Sequence, residues 1–380
     1  KKDPKLTDLA LIYSEAEATV AAGVFTTNRV AAAPVLLSRR NLARSRGRAR
    51  AVVVNAGNAN ACTGSAGMRA AEETARSAAE CLGVPANQVL VASTGVIGVP
   101  FPARVVTCCL PTLSASLAAG NGGGVARAIM TTDTFPKSCV LRGRIGGRWV
   151  HLAGVAKGSG MIHPHMATML SFITTDAAIK PRDLQAMLQA AANESFNRIT
   201  VDGDTSTNDT VLALASGLSG VNVSTQTREG RFFQQGLTEL AVTLARMIVK
   251  DGEGATKLIT IEVRGARTQQ DAELAARAIA NSPLVKTAVA GSDANWGRIL
   301  CAAGYSGASF DPEKVDVRVN NLLLCRKGVD AGFNESAAKK ELDKKEITLT
   351  VDFHQGRAPA RIWTCDLTHG YIDINASYRS

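Results

Sequence analysis

Carboxylates, imidazoles, glycine runs and thiols recur in this chain at spacings that invite a chemical reading, and most of those readings fail. Asp202, Asp204, Ser206 and Asn208 in VDGDTSTND begin like a calcium loop. Such a loop needs glycine at its sixth position and a bidentate glutamate at its twelfth, where this chain has Thr207 and Ala213. Calcium is rejected. His163 and His165 flank a proline with no identifiable third ligand, and the eight cysteines are widely spaced without a CxxC pair, so neither group reads as a zinc site. No metal is expected. The glycine runs at 120–124 and 158–160 lack the lysine-hydroxyl pair of a P-loop and the glycine spacing of a dinucleotide fingerprint. No cofactor is expected either. Without a convincing Ser-His-Asp or Cys-His signature, other nucleophiles are left to consider.

Any such nucleophile must be positioned by the elements around it, and their pattern is that of a layered α/β (α+β) protein. DLALIYS and AVVVNAG read as short apolar strands, and a helix follows whose Met68, Ala71, Ala75, Ala78 and Leu82 share one face. Val89 to Ala92 reads as a strand, and Ser138 to Lys157 as two strands around Gly146-Gly147. This leads into KGSGMIHPHMATML, after which MLSFITTDA looks like a buried strand. Pro181 opens a helix with Leu184, Met187, Leu188 and Ala191 on one face. Phe233, Leu237, Leu240, Leu244 and Ile248 mark a further helix that should stop near Gly252 or Gly254. These stripes are core. The strand LITIEVRG, a helix near Gln269 to Ala280, and strands at Val315 to Val319, Ile347 to Phe353 and Ile362 to Cys365 complete the pattern, with a C-terminal lobe placed from about 284 to 380. No fixed-period repeat and no low-complexity linker interrupts it.

Composition narrows the partners. At 380 residues, with 46% hydrophobic and 20% charged, the chain is ordinary globular material and neither disordered nor collagen-like. The formal charge of +10 is spread along the chain, with short clusters such as Arg44 to Arg50, and only 4% of residues are aromatic. Stacking platforms for bases are scarce, so a solvated surface is preferred to a nucleic-acid interface. No apolar run approaches the roughly 18 residues of a membrane helix, and KKDPKLTDLALIY lacks a signal-peptide layout. Reduced thiols in a cytoplasmic protein are the simplest reading of the cysteines.

The stretch from Lys157 to Leu170 resembles the self-processing segment of the ornithine acetyltransferase family. The likeness runs through TTNRVAAAPV, VVNAGNANACTG, STGVIG, AIMTTDT, VDGDTSTNDT, DGEGATK, GSDANWGRI and INASYRS, in that order and over nearly the whole chain. It implies a fold of stacked β-sheets flanked by helices with a smaller C-terminal α/β lobe. It also implies an N-terminal nucleophile: the chain cuts itself at Ala167-Thr168, giving an alpha chain 1–167 and a beta chain 168–380. Read locally, Thr168 also suits the start of a buried strand. The family pattern gives it a chemical reason. A threonine hydroxyl needs a base within reach, and a freed α-amine with a pKa of about 8 supplies one on the same residue.

Residue by residue, the resemblance implies that the Thr94 hydroxyl and Gly95 N–H form an oxyanion hole, and that Thr131, Lys157, Thr168, Glu253, Asn375 and Ser380 bind substrate. Lys157 would pair with a carboxylate and Glu253 with an ammonium. The implied reaction moves acetyl from N2-acetyl-L-ornithine to L-glutamate by a ping-pong route in arginine biosynthesis; some members of the family also accept acetyl-CoA as donor, a point these residues do not decide. An amidase or aminopeptidase of the same self-cleaving architecture is the alternative, with water in place of glutamate. Two alpha and two beta chains would form a heterotetramer with neither nucleic-acid nor membrane partners. Two departures stand out: the family leads one to expect a short segment before Lys1, and asparagine where this chain has His165.

Overall fold

The computed structural model describes residues 7–163 and 169–377. Ala167, Thr168, His165 and Ser380 therefore lie outside the described residues. The chain divides into two compact units, one drawn from Lys1–Asn197 and Asp204–Ile248, the other from Arg198–Gly203 and Val249–Tyr378.

In chain order the first unit contains β1 (Leu9–Tyr13), β2 (Val20–Phe25), α1 (Ala33–Arg44), β3 (Ala51–Asn58), α2 (Gly64–Leu82), β4 (Val89–Val96), α3 (Ala103–Ala115) and α4 (Gly122–Ala128). It continues with β5 (Lys137–Ile145), β6 (Arg148–Lys157), β7 (Leu170–Thr175), β8 (Ala178–Ile179), α5 (Pro181–Glu194), β9 (Thr210–Ala215), β10 (Asn222–Val223) and most of α6 (Arg228–Lys250). Proline opens both α1 and α5, where a missing N–H costs nothing, and Gly83 closes α2 in the left-handed conformation.

Two sheets form the centre of this unit. One has the order β1-β3-β4, with β3 and β4 parallel. The other has the order β2-β9-β7-β6-β5, with only β7 and β9 parallel. Val52, Val54, Leu90 and Ala92 of the first share a buried cluster with Leu170, Phe172, Leu212 and Leu214 of the second. The sheets are therefore stacked face to face. Alternate residues of the small sheet, Val53 and Val91, point the other way into a cluster with Ala71, Ala75, Ala78 and Leu110 of α2 and α3. On the far side, a Cβ added to Gly154 of β6 would lie 2.7 Å from Leu240 and 2.9 Å from Leu244, so α6 packs directly on the larger sheet. Helix, sheet, sheet and helix give four layers.

The second unit carries β11 (Leu258–Ala266), α7 (Gln269–Asn281), α8 (Pro283–Ala290), α9 (Trp296–Gly304), β12 (Asp316–Val319), β13 (Leu322–Arg326), β14 (Val329–Asp330), α10 (Glu335–Leu342), β15 (Glu346–Asp352), β16 (Ala358–Cys365) and α11 (His369–Ser377). Its sheet has the order β14-β13-β12-β15-β11-β16. The lobe expected from about residue 284 is part of this larger unit. β11 precedes residue 284 yet lies between β15 and β16, and Ala272, Ala275, Ala276 and Ile279 of α7 pack in its core.

Phe172, 2% exposed, sits between the two sheets of the first unit. Phe172→Ala is expected to cost about 3–5 kcal/mol, read as a lower denaturation midpoint at unchanged slope. A loss below about 1 kcal/mol would show that the sheets do not share this core.

Candidate active site

Thr94 and Gly95 lie near the end of β4, opposite Ala56 and Gly57 of β3 in parallel register. Gly95 has φ 129°, and a Cβ there would lie 2.2 Å from the Gly57 carbonyl carbon and 2.5 Å from Asn58 N. Only glycine lets the strands approach this closely. Asparagines shape the turn beyond β3. Asn55 Nδ2 donates to Asn58 O at 2.8 Å, Asn60 N donates to Asn58 Oδ1 at 2.8 Å, and Ser93 Oγ is 2.5 Å from Asn55 Oδ1. Asn208, just ahead of β9, ties both strand ends together: its Nδ2 donates to Ala59 O at 2.6 Å and to Ser93 O at 2.8 Å. The motif that resembled a calcium loop thus contributes an amide clamp beneath Thr94.

Lys157, the last residue of β6, is 3% exposed. Its Nζ donates to Thr94 Oγ1 at 3.2 Å and to Thr131 Oγ1 at 2.7 Å. Each hydroxyl thus accepts from the ammonium and keeps its own proton to donate. Three of the expected site residues converge here, with Gly95 adjacent in sequence.

Asp133 holds this arrangement together and was not singled out from sequence, although it lies inside the AIMTTDT motif. Its Oδ1 accepts from Lys137 Nζ at 2.6 Å and Gly158 N at 2.8 Å, and its Oδ2 from Thr131 N at 2.9 Å. Lys157 Nζ lies 4.0 Å from Oδ2. Lys137 is fully buried. A lysine on the edge strand β5, whose neighbours alternate with solvent, gives no periodic sign of being inside. Burial pushes the Asp133 carboxyl up, but the charges of Lys157 and Lys137, the Lys137 hydrogen bond and the Gly158 N–H outweigh it and hold it at about 2. Next to it, Ser159 Oγ is 2.6 Å from Thr132 Oγ1, which anchors the start of the segment leading to Thr168.

Asp209 behaves in the opposite way. It is completely buried, and desolvation drives its carboxyl well above the ordinary range against the pull of the Met169 N–H, Lys157 and Thr26. The cluster thus contains two ammonium groups, one firmly ionised carboxylate and one carboxyl pushed toward neutrality. Lys157, with its ammonium turned to two hydroxyls, suits an anion, either a substrate carboxylate or an oxyanion developing in a reaction.

Glu253 and Asn375 belong to the second unit, where they meet. Asn375 Nδ2 donates to Glu253 Oε2 at 2.8 Å and to Tyr371 O at 3.0 Å. Gly254, φ 70°, allows it: a Cβ there would lie 2.3 Å from Tyr371 N. Thr368 Oγ1 donates to Gly254 O at 2.6 Å and fixes α11 beside the loop.

The folded value of Asp133 lies below its ordinary 3.8, so its contribution to stability is complete above that value and is lost as pH falls toward 2. The free-energy difference between the protein and Asp133→Asn should shrink by about 2 kcal/mol from pH 4 to pH 2, measured by denaturant titration. A difference independent of pH would contradict the ion-pair account.

The ArgJ family model matches residues 1–380. The chain is similar to the arginine biosynthesis bifunctional protein ArgJ of Symbiobacterium thermophilum, 52% identical over 374 residues, which are 98% of this chain and 92% of that protein. It is similar to the protein of that name from Geobacter sulfurreducens, 50% identical over 381 residues, covering 100% of this chain and 96% of the other. The crystal structure of arginine biosynthesis bifunctional protein ArgJ from Bacillus halodurans matches at 46% identity and TM-score 0.54, over 56% of this chain and all of that one. With a match along its entire length and relatives at this identity, the chain belongs to the ArgJ family.

Proposed function

We propose that this protein transfers acetyl from N2-acetyl-L-ornithine to L-glutamate through an acetyl ester on Thr168, as a step of arginine biosynthesis, with acetyl-CoA as a further acetyl donor. Family membership supports the reaction. The observation that carries the site is the convergence of Lys157, Thr94 and Thr131 in a buried cluster organised by Asp133 and Lys137.

In maturation, the Thr168 hydroxyl adds to the Ala167 carbonyl, the C–N bond breaks, and the proton passes to the departing nitrogen. Water then hydrolyses the ester, leaving an Ala167 carboxylate and a Thr168 with a free α-amine.

In turnover the α-amine takes the hydroxyl proton as oxygen attacks the acetyl carbonyl of the donor. Thr94 Oγ1 and Gly95 N–H receive the negative charge on the carbonyl oxygen, and Lys157 behind Thr94 strengthens that donor. Collapse returns the proton to the ornithine nitrogen, and the glutamate amine then attacks the ester by the reverse sequence. The proposed substrate-binding residues are Thr131, Lys157, Glu253, Asn375 and Ser380, with Lys157 suited to a carboxylate and Glu253 to an ammonium. An assembly of two alpha and two beta chains is part of the same proposal. So is a cytoplasmic setting, supported by eight cysteines without a disulfide.

On denaturing electrophoresis the wild-type chain should run as two fragments and Thr168→Ala as one; a mutant that still splits, or an active wild type that never does, overturns the scheme. Ornithine release should depend on added glutamate, and release indifferent to glutamate would favour hydrolysis. Thr94→Val, which keeps the side-chain shape, should lower kcat by about a hundred- to a thousandfold. Wild-type kcat in that variant would remove Thr94 from the oxyanion hole.

A further inference from the structure

Asp209 has no part in the scheme above, yet it touches the residue that follows the nucleophile. It immediately precedes β9, is 0% exposed, and accepts the Met169 N–H on Oδ1 at 2.9 Å. On the other side of the same residue, Thr210 N donates to Met169 O at 3.1 Å. Asp209 and Thr210 therefore grip both polar atoms of the Met169 backbone. Asp209 is itself held, since its carbonyl accepts from Thr26 N at 3.0 Å, and Asn208 beside it is fastened to the strand end bearing Thr94. Its second oxygen, Oδ2, is buried, and among the described residues no hydrogen bond of ordinary geometry reaches it; the Thr26 hydroxyl, which faces the carboxyl, donates to Ser206 O at 2.7 Å.

We infer that Asp209 is a positioning residue for the nucleophile, clamping the peptide group that follows Thr168 through its hydrogen bond with Met169 N–H. The inference rests on the assignment of Thr168 made above. Met169 N is three covalent bonds from the Thr168 nitrogen, so fixing the Met169 peptide group restricts the backbone of the residue bonded to it. The demand on Asp209 is geometric. A neutral carboxylic acid offers one donor and retains acceptor capacity, and an amide of the same shape does too. A carboxyl one methylene longer misplaces both, and displacements of about 1 Å at a reacting centre cost about a hundredfold in rate.

The experiment compares Asp209→Asn and Asp209→Glu in the full chain, following self-cleavage on denaturing gels and acetyl transfer in the matured protein. Asp209→Asn should mature and turn over within about threefold of wild type with an unchanged pH-rate profile. Asp209→Glu should be at least about tenfold slower in both steps, through kcat and with KM for acetylornithine little changed. Equal rates in wild type and both variants, or Asp209→Glu faster than Asp209→Asn, overturns the inference. The second result would mean that the carboxyl carries protons. If Asp209→Glu lacks a thermal unfolding transition, Asp209→Ala takes its place with the same expected loss. A wild type that stays in one piece, or a Thr168→Ala chain that splits, defeats the Thr168 assignment whatever the Asp209 variants do. Normal behaviour of those two chains together with unaffected Asp209 variants defeats this inference alone.

Discussion

A carboxylate taken out of water must find its donors and counter-charges within the protein. Asp133 does so by drawing in the backbone of Thr131, the start of β5 through Lys137, and the backbone of Gly158 just past β6. Its pairing with Lys137 is no simple gain in stability, because desolvating both charges offsets much of their attraction. What the pair contributes is placement. Removing either partner strands the other charge, so the loop at 131, the end of β6 and the approach to Thr168 have few alternative arrangements. Lys157 inherits its position from this network and passes it to Thr94 and Thr131.

The same logic accounts for the balance of charge. The chain's +10 names no partner, because it is dispersed. Locally the balance is set by burial: one carboxyl is kept ionised by two lysines, and another is pushed toward neutrality by complete enclosure. The two carboxyls diverge because of what each meets inside the protein, whatever the surface carries.

Periodicity made most elements legible before any coordinates. The hairpin around Gly146-Gly147 is β5 and β6, the Pro181 helix is α5, and the long apolar stripe ending at Ile248 is α6. The limit of the C-terminal unit was harder to read, because β11 and α7 look like a continuation of the preceding pattern and only their pairing with β15 and β16 assigns them. For the site, ordered motifs led to Thr94, Thr131 and Lys157, which the fold brings within hydrogen-bonding distance of one another. Asp133, Lys137 and Asn208 were missed for a physical reason. Their importance lies in partners far away in sequence, and nothing in the local pattern distinguishes a charge that will be buried from one that will be solvated.

The bond proposed to break lies between β6 and β7, which are adjacent strands of one sheet. In that sheet β5, β6 and β2 come from the part of the chain before Thr168, and β7 and β9 from the part after it, with β9 and β7 lying between β2 and β6. Strands of one polypeptide would therefore flank those of the other within a single sheet, and neither could leave without stripping that sheet of its hydrogen bonds. Folding would be unimolecular for the precursor but bimolecular once the bond is cut. A matured molecule that has come apart must find a partner as well as a conformation, so its recovery depends on concentration, and its persistence is governed by how slowly that sheet opens.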